Sequence, residues 1–285
     1  MNRALAGGSR GTFGAAAVVA LCALVSVAGC ALPAPSPAAP AVQAAAAPGQ
    51  AAAAEAPARG SRVRNPANGR VEAVVPDISR TALLIGDSQS EPLDGWPRQA
   101  LTAAGYKVYF CGRGGTGFVS ANGSTGNYIE ALRDGDWLLP SGTPALIVIQ
   151  GGGNDAANGA TDRQITINAE RLIGELQARY PGTRMAMIGT LARSKDDGGG
   201  RRTDVDTLLG SVAADRGLPF VSVGDWLTRY GLAKDLADAV HMNPSGRRAL
   251  GTLLEQRLRD LGLERTQAPD TGAVLAAGAP GESQD

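Results

Sequence analysis

Five short apolar runs punctuate the middle of the chain, at residues 82–85, 108–110, 146–149, 185–188 and 220–223. None of them alternates apolar with polar positions. That pattern belongs to strands buried on both faces, as in a parallel sheet covered by helices. Helical periodicity falls between several of the runs. It is clearest over 162–180, where Ile165, Ala169, Leu172, Ile173 and Leu176 recur at helical spacing before Pro181-Gly182 stops the pattern. A last helix is predicted from about Ser245 through Leu250, Leu253, Leu254, Leu258 and Leu261. Strands alternating with helices predict an α/β fold, a three-layer α/β/α doubly wound parallel sheet with its site at the carboxyl ends of the strands.

The flanks carry different patterns. Arg3 and Arg10 precede an apolar run from about Ala15 to Val27, which ends at Val27-Ala28-Gly29-Cys30. A positive start, a short apolar stretch and a small-residue ending describe an export signal over residues 1–29. Its ending resembles the lipobox of bacterial lipoproteins, which implies lipid attachment at Cys30. An ordinary secretory signal and a single membrane span are the alternatives, though the run is short for a span. Residues 30–75 are assigned to an Ala/Pro-rich tether. Its first part, to about Arg59, holds six prolines and few large apolar groups, so neither a long helix nor a core can form there. A tether of about 45 residues would hold the domain about 35–40 Å from its anchor. Residues 76–265 form the folded domain, large enough for a real core. Residues 266–285 are expected to be a disordered tail.

Charge and cysteine content narrow the chemistry. The formal net charge is zero, and Arg201-Arg202 is an isolated basic pair assigned to a loop, so nothing points to nucleic acid. Of the three cysteines, Cys22 would leave with the signal and Cys30 would carry lipid. Cys111 alone cannot form an internal disulfide. With a single histidine beside it, no zinc site of familiar type can be assembled, and neither a metal nor a cofactor is expected.

That single histidine is His241, in the run Asp238-Ala239-Val240-His241. Far upstream the first apolar run empties into Gly86-Asp87-Ser88-Gln89-Ser90. Serine is a poor nucleophile until a base takes its proton, and histidine is the usual base near neutral pH. A carboxylate three residues before the base can orient it and stabilise the imidazolium. Ser88, His241 and Asp238 therefore suggest nucleophilic catalysis, with Asp87 shaping the turn. Gly112-x-Gly114-x-x-Gly117 matches a dinucleotide-binding fingerprint literally. However, it follows the second strand and leads into Ala121-Asn122-Gly123-Ser124-Thr125-Gly126, which is no helix, so that reading is set aside. Residues 193–202, with three consecutive glycines, suit either a mobile substrate loop or a solvated connection. Trp96, Phe118 and Trp226 suit either an acyl pocket or the core.

Taken in order, four blocks of this chain resemble the SGNH (GDSL-type) hydrolases: Gly86-Asp87-Ser88, the glycine loop 112–117, Gly152-Gly153-Asn154-Asp155, and Asp238 with His241. The resemblance spans roughly residues 81–261 and implies a flavodoxin-like three-layer fold. It also implies a serine esterase working through an acyl-serine on Ser88, with His241 as base and Asp238 as its orienter. The oxyanion donors it implies are the Ser88 N–H, a glycine N–H and the Asn154 side chain. Where the family often carries an Asn before that glycine, this chain reads Tyr109-Phe110-Cys111-Gly112. The glycine is assigned as Gly115, with Gly114 and Gly117 as alternates. Asp155 is assigned a structural role. An exported, lipid-anchored esterase would meet acylated small molecules, glycans or lipids of the cell envelope. An acyltransferase with the same acyl-enzyme and a binding protein on this fold are the rival readings.

Overall fold

The computed structural model describes residues 60–265; the export signal, Cys30, the Ala/Pro tract to residue 59 and the tail from residue 266 lie outside them. The described chain opens with a correction to the tether. Arg62–Arg64 (β1) and Val71–Ala73 (β2) pair antiparallel, with Val63 opposite Glu72. Composition alone reads this stretch as unstructured because β1 is wholly exposed. What orders the hairpin is a distant partner: buried Glu72 accepts from the Arg179 guanidinium at 2.8 Å and from the side-chain amide of Asn65 at 2.9 Å. Breaking a buried pair of this kind costs about 3–5 kcal/mol, because it strands the remaining charge.

The remaining strands are Thr81–Gly86 (β3), Lys107–Gly112 (β4), Leu146–Gln150 (β5), Met185–Ile188 (β6) and Phe220–Val221 (β7). They form one parallel sheet in the order β4-β3-β5-β6-β7. Four of the five contain or match the apolar runs predicted for them. The fifth is two residues shorter, because the Val223 N–H turns to the carboxylate of Asp206 at 3.1 Å instead of continuing the ladder.

Alternate side chains of each strand enter opposite cores. Leu83, Ile85, Ile147, Ile149, Met185 and Met187 share one cluster, and Ala82, Leu84, Leu146, Val148, Ala186 and Ile188 the other. Helix α1 (Trp96–Ala103) covers the second cluster, whereas α2 (Tyr128–Asp134) covers the first. Beyond the short α3 (Gly153–Ala157), helices α4 (Asp162–Arg179) and α5 (Gly200–Asp215) complete the first face. Helices α6 (Trp226–Arg229) and α7 (Pro244–Asp260) complete the second. Each wholly buried Leu or Ile of β3 contributes about 1.5–3 kcal/mol of burial free energy.

Local signals set the helix ends. Thr161 and Gln164 form a reciprocal capping box at the start of α4. Asn243 caps α7, and Pro244 occupies the first helical position, where its missing N–H costs nothing. Helix α5 begins at Gly200, so Arg201 and Arg202 lie in its first turn and not in a loop. The preceding glycines had masked that start. The chain runs from β3 outward to β4 and then back across to β5, so strand order reverses between β3 and β5. An open α/β sheet leaves a crevice at the carboxyl ends of such a pair. Ser88 lies just beyond β3 and Asn154 just beyond β5.

Candidate active site

The turn after β3 is built by Asp87. Its Oδ1 accepts the Gln89 N–H at 2.9 Å, and its carbonyl accepts the N–H groups of Ser90 and Glu91 at 3.0 and 2.9 Å. These bonds fold the backbone back under Ser88 and leave that side chain partly exposed while its neighbours are buried. No side chain fits at Gly112, where a Cβ would collide with the Gly86 carbonyl oxygen. Asp87 itself is buried, and burial pushes its carboxyl up to about 6 against the opposing pull of the Gln89 N–H, Gln150 and Arg202. The Gln150 amide, oriented so that both its ends are satisfied, donates to Ser90 Oγ at 2.7 Å and to Asp87 Oδ1 at 3.2 Å. Ser90 is therefore a buried hydroxyl committed to the sheet, unlike Ser88.

The second half of the site comes from the loop before α7. Asp238 Oδ1 accepts the N–H groups of Val240 and His241 at 2.8 and 2.7 Å, which winds the loop into a tight turn. Asp238 Oδ2 then lies 2.8 Å from His241 Nδ1, and His241 Nε2 lies 2.8 Å from Ser88 Oγ. The Val240 N–H first, then the His241 N–H and ring, hold the Asp238 carboxyl down at about 2. Asp238 is thus a carboxylate at any pH at which the protein would be assayed. A bond to carboxylate at Nδ1 places the ring proton there and leaves Nε2 free to accept from serine.

A glycine loop after β4 forms the third wall. Asp155, fully buried at the start of α3, accepts the backbone N–H groups of Phe118, Val119 and Ser120 at 2.9, 2.8 and 2.8 Å. It is the structural clamp of the loop. The neighbouring Asn154 donates one amide proton to the Thr116 carbonyl at 2.8 Å, which leaves its second proton for a ligand.

Among the glycines, Gly114 is the one set against the nucleophile turn. A Cβ at Gly114 would lie 3.3 Å from Ser88 Cβ, whereas one at Gly115 would meet the Asn122 side chain at 2.8 Å. Gly115 supplies the loop's left-handed bend, with φ at 81°, and Gly117 packs on the Asp155 carboxylate. No helix opens on the glycine motif; the next one starts at Tyr128.

Two ordinary polar residues of the nucleophile turn, Gln89 and Glu91, also belong to this site. Gln89 donates to the Val240 carbonyl at 2.9 Å and accepts from Trp96 Nε1 at 3.0 Å. Glu91 places Oε2 2.8 Å from the Gly114 N–H. Neither residue type signals a role without the fold. Ser88, Gln89, Glu91, Pro92, His241, Met242 and Arg247 line a cleft of about 250 Å³. Trp96, Phe118 and Trp226 are core residues, each at most 1 % exposed. The 193–202 segment is a compact connection: Lys195–Asp197 forms a single 3-10 turn, and Arg202 reaches the carbonyls of Leu191 and Gly153 at 3.1 and 3.2 Å.

Comparison with known proteins bears on this constellation. The GDSL-like Lipase/Acylhydrolase family matches residues 79–249. No curated protein matches the chain in sequence. Among solved structures, a putative platelet activating factor from Streptococcus pneumonia is 20 % identical, with a TM-score of 0.51 over 65 % of this chain and 86 % of that one. A family 2 carbohydrate esterase with a carbohydrate-binding domain from Corynascus thermopiles (Myceliophthora fergusii) is 18 % identical, with a TM-score of 0.51 over 68 % and 70 %. A family two carbohydrate esterase from Cellvibrio japonicus is 15 % identical, with a TM-score of 0.51 over 66 % and 62 %. These likenesses establish the three-layer fold.

Proposed function

Because the chain belongs to the GDSL-like lipase/acylhydrolase family and is an ester-hydrolysing enzyme, we propose that Ser88, His241 and Asp238 perform the hydrolysis through an acyl-serine. The observation that carries this reading is the unbroken chain from Ser88 Oγ through His241 to Asp238, with both links at 2.8 Å. Ser88 Oγ attacks the ester carbonyl carbon as its proton passes to His241 Nε2. Collapse of the tetrahedral intermediate breaks the carbon–oxygen bond to the alcohol, which takes that proton from His241. Water then repeats the sequence on the acyl-serine and releases the acid. Charge developing on the carbonyl oxygen is met by the N–H groups of Ser88 and Gly114 and by the Asn154 amide. A single donor of this kind typically lowers the barrier by about 2.7–4 kcal/mol.

The cleft supports a short acyl group and a hydroxylated alcohol. Only Pro92 and Met242 offer it substantial apolar side chains, while Gln89, Glu91 and Arg247 present polar ones. With export and lipidation at Cys30, the substrate is an acylated glycan, lipid or small molecule of the cell envelope. Purified protein assayed on p-nitrophenyl esters of graded length should favour acetyl over octanoyl. A fluorophosphonate should label the wild type and Ser90→Ala but not Ser88→Ala; the reverse pattern overturns the nucleophile. Membrane partitioning that is lost in Cys30→Ser tests the anchor separately.

A further inference from the structure

Glu91 is an acid placed where an ester hydrolase has least use for a resident anion. Its Oε2 takes the Gly114 N–H at 2.8 Å, and a Cβ at Gly114 would lie 2.9 Å from that oxygen and 3.3 Å from Ser88 Cβ. A carboxylate oxygen therefore holds the donor that stands against the nucleophile. We propose that Glu91 is an internal competitor for the oxyanion hole: it holds the Gly114 N–H between turnovers, yields it to the reacting carbonyl, and reclaims it as the acid product leaves. This inference rests on Gly114 being an oxyanion donor for Ser88.

The surroundings make the exchange cheap. The Glu91 backbone is pinned, its N–H on the Asp87 carbonyl at 2.9 Å and its own carbonyl on Arg98 at 3.0 Å. The residue is nonetheless exposed, so the carboxylate can leave by side-chain rotation without moving the nucleophile turn. Arg98 is held in place by the Ser90 carbonyl at 2.6 Å and stacks 4.5 Å from the Phe110 ring centre. Its guanidinium lies close enough to Glu91 to feel the charge of that residue.

The exchange also discriminates between states. A neutral ester carbonyl competes poorly with a carboxylate for one N–H, but the tetrahedral oxyanion carries a full charge and draws on two further donors. Glu91 thus penalises ground-state and product binding more than the transition state. The product is where this matters most. Hydrolysis leaves a free carboxylate beside Ser88, chemically the same group as the Glu91 side chain. A tethered acid competes with that product at a fixed effective concentration, while its charge repels it.

The test is inhibition by acetate of p-nitrophenyl acetate hydrolysis, with wild type, Glu91→Gln and Glu91→Ala compared as full chains. Acetate should inhibit Glu91→Ala about tenfold more strongly than wild type, the change that loss of one charged hydrogen bond carries. Glu91→Gln should fall between them, since its amide oxygen accepts the same N–H without charge. Fluorophosphonate labelling of Ser88 should also accelerate in Glu91→Ala, which certifies that the variant is folded. Equal acetate inhibition in all three proteins, each labelled at Ser88, overturns the competitor role and leaves the nucleophile assignment intact. Loss of turnover in both variants without a change in acetate inhibition would place Glu91 in turnover itself and also overturn it. Absence of Ser88 labelling in the wild type would instead sink the acyl-serine reading beneath it.

Discussion

The side-chain amide of Gln89 donates to the Val240 carbonyl at 2.9 Å, so the residue after the nucleophile holds the loop that carries the base. The two halves of the site come from opposite ends of the domain, and Ser88 and His241 are separated by 153 positions. Gln89 is buried, and its other end is occupied by the indole N–H of Trp96. It bridges core, nucleophile turn and base loop at once.

Gln89→Ala should accordingly act through geometry. It orphans the Trp96 N–H and removes the tie to Val240, at a stability cost of about 1–3 kcal/mol. Freed by as little as 1 Å, the His241 loop would lower kcat by about 10²-fold. Steady-state kinetics beside a urea titration separate the two effects. A variant destabilised as expected but with unchanged kcat would show that the base loop needs no tie.

Asp155 offers a second expectation. Its carboxylate accepts from Phe118, Val119 and Ser120, and bonds to charged groups are worth about 1.5–3 kcal/mol each. Asp155→Asn keeps one acceptor oxygen but sets an amide N–H against a backbone N–H. A loss of at least about 3 kcal/mol is expected by denaturant unfolding, with activity falling because the Gly114 loop loses its clamp. Stability within about 0.5 kcal/mol of wild type would remove Asp155 from that role.

Much of this arrangement was legible before the fold was known, for identifiable reasons. The strands bury both faces, so they survive as apolar runs such as 146–149 that need no partner to be recognised. Ser88, Asn154, Asp238 and His241 stand out because their chemistry demands particular residue types. What was hidden depends on distant contacts or on backbone direction. The β1–β2 hairpin looks like tether because its order comes from Glu72 meeting Arg179 across 107 positions. Gly114 and Gly115 are indistinguishable until φ shows which of them bends the loop. Gln89 and Glu91 are ordinary polar residues until the fold sets them beside Val240 and Gly114.

The buried Asp87 makes stability depend on pH in an unusual direction. Burial raises its carboxyl from 3.8 to about 6 in the folded state, so folding favours the protonated form. The stabilising contribution is full below about 4 and is lost as pH rises through 6, an accumulated cost of about 3 kcal/mol at neutral pH. Asp87→Asn keeps the acceptor for the Gln89 N–H but removes the ionisation. Relative to wild type it should gain stability between pH 4 and pH 8. Parallel stability–pH curves for the two proteins would mean that Asp87 does not titrate in this range.

Catalytic pH dependence should belong to His241. Asp238 is held at about 2 and stays ionised throughout, which leaves the imidazole as the triad member that changes charge. A base must be neutral to take the Ser88 proton, so kcat/KM should rise with pH through one ionisation of the free enzyme. The chain has no other histidine, so its ring signal in an NMR titration is assigned without mutagenesis. Kinetic and NMR midpoints should coincide in the wild type and again in Asp238→Asn. That variant should also lose up to about 10⁴-fold in kcat, because the amide no longer fixes the tautomer that leaves Nε2 free. Repeating the kinetic titration in Asp87→Asn isolates the buried carboxyl next to Ser88, which is pushed up to about 6. A rate midpoint that follows Asp87 and ignores the His241 resonance would transfer the controlling ionisation to the buried acid beneath the nucleophile.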